Sequence, residues 1–117
     1  MEKKEWRSMA FQRLQKELIQ GLLAIFGSNV FQIILYGSVA KNEATEDSDI
    51  DIAIILDHSI DEAVRERFID WAADMDMKYD CVLSIVDIEK EKYAVWKNTM
   101  PFYKNVFTEG VVLWKAA

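Results

Sequence analysis

The sequence predicts an α/β protein, a small mixed β-sheet with helices packed against it, and three observations lead there. Apolar residues recur at helical spacing along two long stretches, and three short apolar runs alternate with these stretches. One of the runs is headed by Asp49-Ile50-Asp51, two acids where a strand should begin, although strands disfavour Asp.

The elements follow in chain order. Trp6, Ala10, Leu14, Leu18, Leu22 and Ile25 recur every three or four residues, so residues 3–26 are expected to form one amphipathic helix closing at Gly27. Phe31 to Tyr36 is a short apolar run ended by Gly37 and reads as a buried strand. A loop opened by a short helix at Gly37-Ser38 leads to the second strand, Ile50 to Leu56. Ser59 with Glu62 three residues later reads as a capping box for a second long helix, whose Ile60, Val64, Phe68, Trp71 and Met75 share a stripe and which ends near Met77. Asp80 to Val86 is the third strand, and Asp87 is expected to cap a further helix that holds Tyr93 and Trp96 and is interrupted by Pro101. The tail should form a short helical turn, break at Gly110 and end in an extended apolar stretch packed back on the domain.

Topology follows from the lengths of the connections. A long helix between the second and third strands favours a parallel crossover, which puts the starts of both at one sheet edge. Gly37-Ser38 lies at the end of the first strand, so to reach that edge this strand must run antiparallel to the second. The sheet is therefore mixed. Asp80 comes to the edge that holds Asp49 and Asp51, and Asp87 falls at the far end.

With 117 residues, about half of them apolar, the chain is expected to be a single domain over 1–117. Its net charge of −6 is uneven: no Lys or Arg lies between Lys41 and Arg65, where Glu43, Glu46, Asp47, Asp49, Asp51, Asp57, Asp61 and Glu62 all fall. Such a field argues against direct non-specific nucleic-acid binding. Basic residues gather at the ends, among them Arg13 and Lys16 and then Lys90, Lys92, Lys97, Lys104 and Lys115, and read as solvated helix faces. Cys81 and His58 are the only residues of their kinds, which excludes an intramolecular disulfide and a zinc site of several Cys or His ligands. No signal-type apolar core and no run of roughly 18 apolar residues occurs, so a cytoplasmic protein without a membrane partner is expected.

Alternation along a strand sends Asp49 and Asp51 to the same face, about 7 Å apart along the backbone. Like charges that close either leave one acid protonated or are held by a cation, and a divalent metal is the usual solution. Three carboxylates, Asp49, Asp51 and Asp80, could hold one or two Mg²⁺, and two such ions suit a phosphoryl displacement. Gly37 permits close backbone approach, Ser38 and the following amides face an incoming anion, and Lys41 one turn later can reach a phosphate oxygen. Taken singly, Ser38 is an ordinary helix N-cap, Glu46 and Asp47 are loop acids and Lys41 is a surface lysine; the Asp49/Asp51 pair is what turns them into a site.

Gly37-Ser38, ten intervening residues and Asp49-Ile50-Asp51 resemble the signature of the DNA polymerase beta-like nucleotidyltransferase superfamily. The stretch YGSVAKNEATEDSDIDIAIIL in particular is similar to the minimal nucleotidyltransferase (MNT) proteins. The resemblance implies the nucleotidyltransferase fold, with Asp49 and Asp51 as paired Mg²⁺ ligands, Asp80 as the third carboxylate and Gly37 and Ser38 on the triphosphate. It implies transfer of a nucleotide, AMP from ATP foremost, to a hydroxyl. Members often show Arg after the Ser and then Ala-Arg-Gly, where this chain has Val39 and Ala40-Lys41-Asn42, so one bidentate phosphate contact is absent.

Small members of that family resemble one half of toxin-antitoxin pairs, in which the MNT protein neutralises a HEPN ribonuclease toxin by transferring AMP to it. The resemblance therefore implies a HEPN-domain partner that also completes the site. Two other readings stand beside this one: a small-molecule enzyme similar to the aminoglycoside-modifying nucleotidyltransferases, and a non-catalytic antitoxin or binding module. The aromatic residues near the ends leave room for a homo-oligomer.

Overall fold

The structure, a computed structural model, describes residues 9–41 and 49–117. The first helix, α1, runs Met9–Phe26, so the expected start at residue 3 lies outside the described residues. Its buried positions Leu14, Leu18, Leu22 and Phe26 recur every four residues and form the face that packs on the sheet. Gly27 takes φ +58 and opens a 3-10 turn, Gly27–Asn29, that leads directly into β1, Val30–Tyr36. Asn29 ties this turn to the far end of the next strand: its side chain donates to the His58 carbonyl and accepts from the His58 amide, each at 2.9 Å.

A single-turn helix, α2, Gly37–Ala40, ends β1, and β2 spans Ile50–Leu56 as its apolar run requires. Then come α3, Glu62–Tyr79, β3, Leu83–Glu89, and two short helices, α4, Lys90–Trp96, and α5, Pro101–Glu109. The chain closes with β4, Val111–Lys115. The four strands lie in the order β3-β2-β1-β4; β2 is parallel to β3, and β1 is antiparallel to both β2 and β4. The mixed sheet and the parallel crossover through a long helix agree with the expectation.

Helices cover both faces of the sheet, and β2 lies at the centre with Ile52, Ala53, Ile54 and Ile55 fully buried. Its even positions, Ile50, Ile52, Ile54 and Leu56, pack with α1 and α3, whereas Ala53 and Ile55 pack with Tyr93 of α4 and Val106 of α5. Two-sided burial explains why this strand is a continuous apolar run rather than an alternating one.

Five local expectations are corrected. Asp61, not Ser59, is the N-cap of α3, its carboxylate accepting the Val64 amide at 2.9 Å. The helix also runs on to Tyr79 and closes with Asp80 in the left-handed region at φ 48. The third strand consequently starts at Leu83 rather than at Asp80: Asp76 accepts the Cys81 amide on its carbonyl and the Leu83 amide on its carboxylate, which holds the intervening residues in the helix-closing turn. Asp87 caps nothing; it sits inside β3 and pairs with Arg65 at 3.1 Å. Finally, the tail is more regular than expected. Pro101 is the first residue of a nine-residue helix, where its missing N–H costs nothing, and the extended end is a fourth strand along β1.

Gly21 of α1 lies against α3, where a Cβ would come within 2.5 Å of the Trp71 indole. Gly21→Val is therefore expected to lower stability by about 2 kcal/mol through overpacking, which outweighs the few tenths gained in helix propensity. Urea unfolding measures this; an unchanged midpoint would mean that Trp71 swings away freely. Among the described residues, no helix is long and apolar enough to cross a membrane.

Candidate functional site

The site forms where β1 ends and β2 begins. Hydrogen bonding from the Ile50 amide to the Val82 carbonyl at 2.9 Å fixes the start of β2 against the segment leading into β3. Asp49 lies one residue before the strand and is exposed; Asp51 is half-buried on the strand itself. Burial pushes the Asp51 carboxyl above the ordinary carboxylate range, and the neighbouring charge of Asp49 pushes it further the same way. Among the described residues, no Lys or Arg forms an ion pair with either acid.

Gly37 is built into the same corner. It takes φ +75, a region that favours glycine, and a Cβ there would overlap Asp51 Oδ2. The turn that ends β1 thus lies directly against one carboxylate of the pair. Ser38 is half-buried within α2, whose N-cap is Tyr36, so the reading of Ser38 as an ordinary cap is corrected. Val39 points into the core at 5% exposure, the physical counterpart of an apolar residue in place of an arginine. Lys41 is the C-cap of α2 and stands 3.8 Å from Glu109 of α5, an exposed pair of the kind that contributes little to stability. Asn42, Glu46 and Asp47 lie outside the described residues.

Asp80 is an exposed cap ahead of β3 rather than a residue of its first turn of ladder. Among the described residues, no three His, Cys, Asp or Glu side chains gather in a group that could hold a metal. The two aspartates nevertheless suit a hard divalent cation: an all-oxygen donor set, one member half-buried with its proton affinity raised by burial and by the other.

Sequence reasoning missed two residues beside Asp51. Tyr36 is its register partner on β1, and Ser84 its register partner on β3. In-register neighbours share a face of the sheet, so both belong to the surface that Asp51 occupies. The Tyr36 hydroxyl is pushed up by burial and by the Asp51 charge, and its ring meets Phe102 edge-on with centroids 5.7 Å apart. Strand alternation counted back from Gly37 could have found Tyr36; Ser84 needed the inter-strand register.

Comparison with known proteins bears on this arrangement. Residues 19–116 match the family model described as polymerase beta, nucleotidyltransferase. A Methanocaldococcus jannaschii protein that carries the name "putative protein adenylyltransferase" is 34% identical over 99 residues, covering 85% of this chain and 93% of its own. Among solved structures, a toxin-antitoxin crystal structure with AMP-PNP superposes with a TM-score of 0.63 at 24% identity, over 87% of this chain and 73% of that one. A complex of the tri-AMPylated Shewanella oneidensis HEPN toxin with its MNT antitoxin gives a TM-score of 0.58 at 22% identity, over 90% and 72%. At these identities the structural likeness establishes the shared fold.

Proposed function

The chain belongs to the polymerase beta nucleotidyltransferase family and is a nucleotidyltransferase, and from that premise we propose that it transfers AMP from ATP to a hydroxyl of a HEPN-type partner protein. The observation that carries the proposal is the close packing of the Gly37 turn on the Asp51 carboxylate, which sets the backbone of that turn beside the acid pair. In this reading Gly37 lets the triphosphate lie close to the backbone, Ser38 donates its hydroxyl to a phosphate oxygen, and Lys41 exchanges Glu109 for phosphate.

Asp49 and Asp51 would hold Mg²⁺, which when bound offsets the charge of the triphosphate and of departing pyrophosphate. The acceptor oxygen forms a bond to the α-phosphorus as the bond from that phosphorus to the bridging oxygen breaks; pyrophosphate leaves, and the hydroxyl proton passes to the surrounding carboxylates or water. Asp80, exposed near the same sheet edge, is the third carboxylate of this reading and would help to activate the attacking hydroxyl. Val39 leaves one phosphate contact unfilled, and a basic residue of the partner is the natural replacement.

The relatives support the choice of AMP and of a protein acceptor, since one is named as a protein adenylyltransferase and another lies beside an AMPylated HEPN toxin. Incubating the chain with labelled ATP, Mg²⁺ and its HEPN partner should label the partner. The label should vanish with Asp49→Ala and Asp51→Ala together; a partner left unlabelled by the wild type, or still labelled by the double variant, would overturn the assignment.

A further inference from the structure

Three of the lysines that read as solvated helix faces come together in the fold. Lys90 at the start of α4, Lys97 at its C-cap and Lys115 at the end of β4 rim a cleft of about 380 Å³ whose floor is the buried apolar trio Ile34, Tyr93 and Val106. Lys90 stands over the Phe31 ring and Lys97 over the Phe107 ring, each 4.5 Å from the centroid. These positions hold the ammonium groups along the apolar walls. Lys90 also lies 4.0 Å from Asp57, whereas Lys97 and Lys115 have no carboxylate within ion-pair distance among the described residues. In a chain of net charge −6 this is a local concentration of positive charge around an apolar hollow.

One wall of the cleft is the outermost strand of the sheet. Among the described residues β4 pairs only with β1, and Val111 and Val112 are 47% and 51% exposed. A strand at a sheet edge presents backbone N–H and C=O groups that another strand can pair with. Gly110 brings α5 into β4 with no room to spare, since a Cβ there would overlap the Val106 carbonyl oxygen and Ile34, so the edge is seated against the floor of the cleft. The carboxylate pair lies beyond the cleft on the same face: Ile34 on the floor is two residues from Tyr36, the register partner of Asp51, about 7 Å along β1.

We propose that this cleft and the free edge of β4 bind an extended acidic segment of another protein, which adds a strand to β4. An apolar side chain of the segment fills the cleft while its carboxylates meet Lys97 and Lys115. Charge selects the occupant. An acidic strand neutralises Lys97 and Lys115, whereas β4 of a second copy, Val111–Lys115, carries no carboxylate to meet them. The inference stands independently of the nucleotidyl-transfer reading.

The test uses fluorescein-labelled ten-residue peptides, one alternating Glu and Val around a central Phe, the other with Lys in place of Glu. The acidic peptide should bind the full chain saturably and lose affinity with added salt. The double variant Lys97→Glu, Lys115→Glu should bind it about tenfold more weakly or worse, and Lys97→Gln with Lys115→Gln should lose about threefold. Amide shifts in ¹⁵N spectra should map to α4 and β4 and leave Gly37 and Asp51 unmoved, and ATP binding should be the same in all variants. The proposal is overturned if the acidic peptide does not bind below about 1 mM, if the lysine peptide binds equally well, or if charge reversal changes nothing. A homodimer in sedimentation that the double reversal dissolves would overturn it as well, because it assigns the edge to a second copy.

Discussion

Asp51→Asn is expected to make the metal-free protein more stable and the enzyme inactive. The Asp51 carboxyl holds its proton more tightly in the fold than at its ordinary value of 3.8, first because it is partly buried and second because Asp49 is charged nearby. The folded pKa exceeds the unfolded one, so the contribution of this group to stability is full below the unfolded value and falls as pH rises through the folded value. At neutral pH the ionised Asp51 therefore opposes folding. Asn keeps the shape without the charge, so its melting temperature in chelator should exceed that of the wild type at pH 7.5, with the gap narrowing at pH 4.

Added Mg²⁺ should reverse the order. A ligand that binds only the folded state at ten times its dissociation constant stabilises it by about 1.4 kcal/mol, a shift of several degrees for a domain of this size. The wild type should show that shift, and the Asn variant should not. Transfer activity should fall roughly a thousandfold, since losing a ligand that offsets phosphate charge removes several kcal/mol from the transition state. Calorimetry with and without metal at both pH values gives the answer. A wild type more stable than Asp51→Asn in chelator would show that the ionised Asp51 does not oppose folding, and equal Mg²⁺ shifts in both would show that the pair is not a cation site.

Gly37→Ala should damage the same corner through the backbone. At φ +75 an alanine is strained by about 1–2 kcal/mol, and its methyl would displace the Asp51 carboxylate. Stability should fall by about 1–3 kcal/mol, the Mg²⁺-dependent shift should disappear and transfer should be lost with it. Gly27→Ala is the control. Gly27 also has a positive φ, +58, but a Cβ there meets nothing within 4 Å, so that variant should lose stability and keep both the metal shift and the activity. If the two glycine variants behave alike in metal binding, the packing of Gly37 on Asp51 has no functional role.

Much of this was legible in the residues alone, for reasons specific to each element. β2 was readable to the residue because a strand buried on both faces is an unbroken apolar run with charged ends. The parallel crossover was readable because an 18-residue helix cannot make a hairpin. The Gly37-Ser38 and Asp49/Asp51 motif was readable because glycine and paired carboxylates carry strong local constraints. Helix ends were less so: Ser59, Asp61 and Asp87 are all competent caps, and which one serves depends on where the neighbouring strand stops.

The sequence alone established a mixed α/β domain with an acid pair set against a glycine turn, because periodicity, connection length and local charge are properties of short segments. Folding in three dimensions settled what depends on register between segments far apart in the chain. It placed Ser84 and Tyr36 beside Asp51, kept Asp80 in a left-handed helix cap, and laid β4 along β1. The same folding gathered Lys90, Lys97 and Lys115 around one cleft. Strand partners and cleft walls are chosen by the packing of whole layers, and no local pattern in the chain encodes that choice.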